Sequence, residues 1–390
     1  MNKFFAKYTE KVPNIKVELQ VPPEGMTSDQ KLETMVAGGT PPDLVYSGAS
    51  VSLAARGVYL NLFPLLEKSG KTLDEWHPNA RKVYAIKGGS FLWGLPNQLS
   101  TQFFAVNKTL FAPAGAKVPS SDWADPSWTW DAYLAAAKAI TKREGDNVSV
   151  WGAFPFGGSL FYCGPNMFGG RWYDEKTNLV TCDDSKAYGG FQFEHDTIFK
   201  DQVAPTPAQT QALSTGFLSG KIAMMLDGPW SMATYTSIKD FEWTLAPVPY
   251  ATGLNVKDGR LNETWCNSCC ISSKNNVDAC WDLLLWMYFD DANYADWCWY
   301  GASRLPARIP GQAKWLEYAK AASPNVAWSV YVDAYDYASA DWSATQANTN
   351  KLTDLIQAEY IDPLDGDEKA VAKELATAIK PKIQALLQTV

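Results

Sequence analysis

The first apolar positions, Phe4, Phe5, Tyr8 and Val12, recur on one face and predict a helix that Pro13–Asn14 ends. Ile15 to Val21 then alternates apolar and polar, the period of a strand. Thr27 and Gln30 make a capping-box pair ahead of a short helix with Leu32, Met35 and Val36, stopped by Gly38–Gly39. Leu44-Val45-Tyr46 follows as a short apolar strand. Helix, strand, helix, strand predicts an α/β lobe with a largely parallel sheet. The alternation recurs. Phe91 to Pro96 reads as strand then turn, and Gln102 to Asn107 as a second strand. Thr129 caps a helix through Tyr133, Leu134 and Ala137 to Ile140. Val277, Cys280, Trp281, Leu284 and Tyr288 mark another helix. Asp367 to Gln388 reads as helical and broken near Pro381. The most apolar run, Trp281 to Phe289, is far shorter than the roughly 18 residues of a membrane span and reads as a buried helix.

A chain of 390 residues exceeds what one hydrophobic core usually supports, so two domains are expected. No linker composition separates them, which suggests a chain that crosses between lobes. A net charge of -8 leaves no excess of Lys and Arg to replace phosphate counterions, so nucleic acid is not an expected partner. Seventeen Trp is a high count. Most would be core, but Trp offers a flat apolar face and one donor, which suits sugar rings. Seven Cys is an odd count, and Cys266, Cys269 and Cys270 cluster. A zinc site needs four ligands. The only His, His77 and His195, lie in unrelated segments, so buried strand thiols or a local disulfide are the expected reading. No metal or cofactor is expected. No apolar signal-like stretch precedes the first helix, so the sequence reads either as a cytosolic protein or as a mature, trimmed or recombinant form.

Six segments, in order, resemble family 1 extracellular solute-binding proteins, relatives of maltose-binding protein. They are Lys11 to Glu18, Gly38 to Val45, Gly94-Leu95-Pro96 with Val106-Asn107-Lys108, Pro126 to Asp131, Phe217 to Met225 with Gly228-Pro229-Trp230, and Ser303 to Arg308. The family usually opens with a strand before the first helix, whereas this sequence begins inside that helix, so contacts from that strand are not assigned. The resemblance implies a two-lobed α/β periplasmic-binding-protein fold, type II-like. It has three hinge crossings, a ligand cleft between lobes, and closure by hinge rotation. The crossings are expected near Phe111, near Asn262 to Cys266, and within Pro310 to Val330. Residues 1–111 plus 266–320 would form one lobe, and 112–265 plus 321–390 the other.

The function so implied is capture of a carbohydrate for an ABC importer. The receptor would be an extracytoplasmic monomer, periplasmic or lipid-anchored, that meets membrane permease subunits. Tyr46, Ser47 and Ser50, after a strand, read as a cleft wall or an ordinary turn. Asn97, Gln98, Ser100 and Thr101 form a polar run between apolar strands, more than a turn needs. Trp230 is the first stacking candidate, with a core Trp as the alternative. Asp227 either accepts sugar hydroxyls or caps the next helix. Trp342 is a second stacking candidate by family position. Phe156, Gly158 and Tyr162 lie in a Gly-aromatic loop. Of Arg304 and Arg308, one is expected in a salt bridge and one at the cleft. Trp265 and Asn267 sit at a predicted crossing.

Two rivals remain. A glycoside hydrolase would need a facing pair of carboxylates. Asp227 is the only one at a convincing position, and no Ser-His-Asp, P-loop or G-x-G-x-x-G pattern occurs. The same fold could instead take a polyamine through cation–π contacts.

Overall fold

The computed structural model describes the chain apart from residues 1, 27, 47–50, 87–88, 158–163, 175, 214–215, 273–274, 302–303, 341–348 and 388–390. It divides into two compact units, and the described chain passes between them three times. The first contains residues up to Ser100 and Thr264–Ala321. The second contains Thr101–Glu263, Ala322 to Ala340, and residues from Thr349 on. The first passage therefore falls at Ser100/Thr101, where the sequence reading had placed it near Phe111.

In the first unit the order of paired strands is Leu44–Tyr46, Asn262–Ile271, Leu95–Ser100, Leu305–Pro306. All three pairings are antiparallel, which corrects the expected parallel sheet. The alternation of helix and strand along the sequence suggested crossover connections. Instead, Leu95–Ser100 takes its neighbours from two distant segments that run back against it. Its six residues are all buried. Ile15 to Val21 forms no strand, and Leu19 and Val21 are exposed. Alternation makes a strand only where another backbone supplies the ladder.

Helix Asn2–Lys11 lays Phe4, Phe5 and Tyr8 on the core, where the two Phe rings meet Trp297 and Tyr8 meets Trp286. Helix Val277–Tyr288 is the buried helix the apolar run predicts. Cys266, Cys269 and Cys270 are free thiols on Asn262–Ile271, so no local disulfide forms there. Burial pushes the Cys269 thiol up to about 12, which makes it inert.

In the second unit Phe103–Asn107 is the centre of a sheet, with Met224–Asp227 and Trp243–Ala246 antiparallel on either side. Helix Trp130–Ile140 starts where Thr129 accepts the Ala132 N–H at 3.1 Å. Helix Ala372–Leu387 packs Ala376, Ile379 and Ile383 inward. It begins later than Asp367 and runs unbroken through Pro381. That proline lies on the exposed face, where water can reach the carbonyl that loses its donor. Among the described residues, no helix is long and apolar enough to cross a membrane.

Candidate functional site

In the first unit the strand Asn262–Ile271 is buried except at Trp265, Cys266 and Asn267, which are half-buried. Trp265 and Asn267 share one face by the strand's period of two. Asn267 lies opposite Gln98, and Trp265 opposite Ser100. Tyr46 donates its hydroxyl hydrogen to Gln98 Oε1 at 2.7 Å and packs edge-on to Trp297 at 5.2 Å. Burial pushes the Tyr46 phenol up to about 12, against the Arg304 charge and a hydrogen bond with Asn267. Half-buried Tyr46, Asn267 and Arg304 are thus brought together around Gln98, which is itself fully buried.

Other predicted residues serve the frame. Asn97 is fully buried. Its Oδ1 accepts the Trp297 indole N–H at 3.1 Å, and its carbonyl accepts the Tyr294 hydroxyl and the Ala307 N–H. Ser100 is 5% exposed. Arg308 is clamped by Glu75 at 2.7 Å and by Asp291, with its guanidinium 5.8 Å from the Trp76 ring. Its fork is used up, so Arg308 is the structural member of the Arg304–Arg308 pair.

In the second unit, buried Thr101 donates to the Glu263 carbonyl at 2.8 Å. The Phe156 ring packs on Trp130 at 5.8 Å and Phe104 at 6.1 Å, so it belongs to the core. Its backbone, however, opens the Gly-aromatic loop, and there Glu194 accepts the N–H groups of Phe156 and Gly157. Sequence reasoning missed Glu194. The available signal was a lone carboxylate on the face defined by Ala187, Phe191 and Ile198 of helix Ser185–Phe199.

Asp227 ends the strand Met224–Asp227. Only 3% exposed, it accepts from the Gly228 N–H at 2.7 Å, the Ser231 hydroxyl at 2.9 Å and the Tyr235 hydroxyl. Burial lifts its carboxyl above the ordinary range, against these donors and a bond with the Trp230 side chain. Asp227 is therefore an internal brace, the second of its two expected roles. Trp230 stands on the single turn Pro229–Ser231 and is 44% exposed, so it is no core tryptophan. Ser47, Ser50, Gly158, Tyr162 and Trp342 lie outside the described residues.

An exposed, anchored aromatic and a half-buried polar wall suit recognition better than chemistry. A model of the bacterial extracellular solute-binding protein family matches residues 1–260. The chain belongs to that family. Among curated relatives, a maltotriose-binding protein of Pyrococcus abyssi is 24% identical over 291 residues, 72% of this chain. That match spans 57% of the relative's length. An ABC substrate-binding protein of Listeria monocytogenes in complex with cycloalternan has a TM-score of 0.83 at 21% identity, covering 100% of this chain and 95% of its own. The GacH receptor of Streptomyces glaucescens, known unliganded and with acarbose, has a TM-score of 0.80 at 20% identity, covering 100% and 94%. The fold they share with this solute-binding protein is the two-lobed one.

Proposed function

We propose that this solute-binding protein captures a carbohydrate, a mono- or oligosaccharide, and delivers it to the permease subunits of an ABC importer. It works outside the cytoplasmic membrane, periplasmic or lipid-anchored, as a monomer and by binding and release without catalysis. The observation that carries the reading is Trp230, a 44%-exposed indole on a braced turn after a strand. Such a face stacks on the C–H face of a sugar ring. Tyr46, Asn267 and Arg304 of the first unit supply hydroxyl partners, and Trp265 a second aromatic face. The sugars named for the Pyrococcus, Listeria and Streptomyces proteins support the same class.

A polyamine would need a carboxylate open to its ammonium groups. Asp227 is buried and engaged by its own turn, which favours a neutral ligand. The same engagement removes it as half of a glycosidase pair. The test is a melting screen over mono- and oligosaccharides, with spermidine and putrescine as a second arm and product analysis of the oligosaccharides as a third. A sugar at ~100 times its Kd should add roughly 2.7 kcal/mol. A shift with polyamines alone, or cleaved oligosaccharide, would overturn the proposal, as would no shift with any sugar.

A further inference from the structure

The indole of Trp230 is 44% exposed. Its six-membered ring lies directly on Gly228. A Cβ at Gly228 would sit 2.3 Å from Trp230 Cη2, 2.4 Å from Cζ3 and 2.7 Å from Cζ2, distances that no real Cβ tolerates. The three nearest atoms to that Cβ all belong to this ring. Gly228 has φ -145° and ψ -173°, extended backbone that any residue adopts. Backbone conformation therefore gives no reason for glycine here, and the reason left is the ring above it. The other hold is Asp227. The Trp230 side chain favours the charged form of that carboxylate, and indole has one donor, Nε1–H. The carboxylate is itself fixed by Gly228 N, Ser231 Oγ and the Tyr235 hydroxyl. Two contacts at different points of one plane fix both the tilt and the rotation of that plane.

We propose that Gly228 and Asp227 are the positioning residues of the Trp230 platform: the missing side chain at Gly228 and the braced carboxylate of Asp227 hold the indole in one orientation before any ligand arrives. This rests on the reading of Trp230 as a sugar platform only for its consequence in affinity, since the orientation itself is a property of the ligand-free protein. A platform already in place costs a ligand no side-chain ordering on binding, so its loss weakens affinity even where the indole remains.

The test separates the two. Protein labelled with 5-fluorotryptophan gives a Trp230 resonance, assigned as the signal that Trp230→Phe removes. In ligand-free protein, Gly228→Ala should move or broaden that signal and leave most others in place. Asp227→Asn is the second variant, which removes the braced charge without changing size, and should broaden the same signal. An unmoved Trp230 signal in both folded variants overturns the proposal.

Maltotriose is then titrated into wild type, Trp230→Ala, Gly228→Ala and the double variant. Trp230→Ala should weaken binding about 30-fold or more. Gly228→Ala should weaken it about tenfold or more, and the double variant no further than Trp230→Ala alone. Full additivity would overturn the positioning role. Unchanged affinity in Trp230→Ala would instead overturn the platform reading. If maltotriose binds none of the four, that ligand is wrong, and the fluorine signal still decides the orientation.

Discussion

Among single residues, two carboxyls of the second unit tie folding to pH. Glu194 is 1% exposed, and its partners are two backbone N–H groups of the Gly-aromatic loop. Burial drives it well above the usual carboxylate range, with Asp365 adding to the rise. Asp365 is pushed up to about 6, by burial first and then by Asp362, against His195. Tyr133, packed near by, is raised by burial and by the same Glu194 charge. In the unfolded chain both acids ionise near pH 4. Between about pH 4 and 6 the folded state thus binds more protons than the unfolded one, and stability falls as pH rises. Asp365→Asn removes one acid and eases ionisation of the other. Its stability relative to wild type should rise by on the order of 1–3 kcal/mol between pH 4 and pH 7. Urea melts of both proteins at four pH values in that range check this. Parallel stability curves would show that Asp365 titrates in the folded protein as it does in the unfolded chain.

At the scale of elements, local structure was legible where one local rule decided the outcome. Thr129 caps its helix because a hydroxyl at that position meets an orphan N–H, and no tertiary fact is needed. Trp230 was legible because Gly and Pro after an apolar strand leave the chain little choice but to turn outward. Arg308 was not assignable, because Glu75 and Asp291 reach it from segments far apart in sequence. The antiparallel ladders were hidden for the same reason.

Arg260 is the extreme case. It is fully buried, and its guanidinium donates to the carbonyls of Asp122, Trp123, Asp125 and Trp128. One side chain thereby shapes the whole Trp-rich loop before helix Trp130–Ile140. That loop also seats Trp123 against Tyr337 and on the Val330 carbonyl. Burial lowers the guanidinium to about 10, so it stays charged at neutral pH. Lysine lacks the planar fork and cannot reach four carbonyls from one point. Arg260→Lys should cost about 2–4 kcal/mol of stability, because buried carbonyls are left without donors. A loss below about 0.5 kcal/mol in equilibrium unfolding would mean that water replaces the guanidinium there.

For the whole molecule, any turn of one unit against the other would have to act through the described passages of chain between them, at Ser100/Thr101, Glu263/Thr264 and Ala321/Ala322. The first lies in the polar run Asn97 to Thr101, where no Gly, Pro or charged residue marks a linker, and not near Phe111. Strand Leu95–Ser100 runs almost directly into Phe103–Asn107, so the passage is the two buried polar residues Thr101 and Gln102. Just inside the second unit the first two passages are tied together. Thr101 donates to the Glu263 carbonyl at 2.8 Å, and the Asn262 side chain donates to the Gln102 carbonyl. Coupled in this way, the two strands can change torsion together and act as one hinge, which suits a rigid-body rotation better than independent bending.

A ligand shifts such an equilibrium only by its differential affinity for the two states. At ~100 times its Kd, a sugar that binds only the closed form supplies roughly 2.7 kcal/mol, a population ratio of about 100. That suffices if the open form is favoured by less than this without ligand. We predict that X-ray scattering of the protein with a saturating sugar from the melting screen gives a smaller radius of gyration than without it. A Thr101→Val, Asn262→Ala double variant should keep its fold and lose part of that difference, because its strands are untied. Superimposable curves, on samples whose melting shift proves that the sugar is bound, would mean that the lobes do not move. The receptor would then signal the permease through the ligand alone.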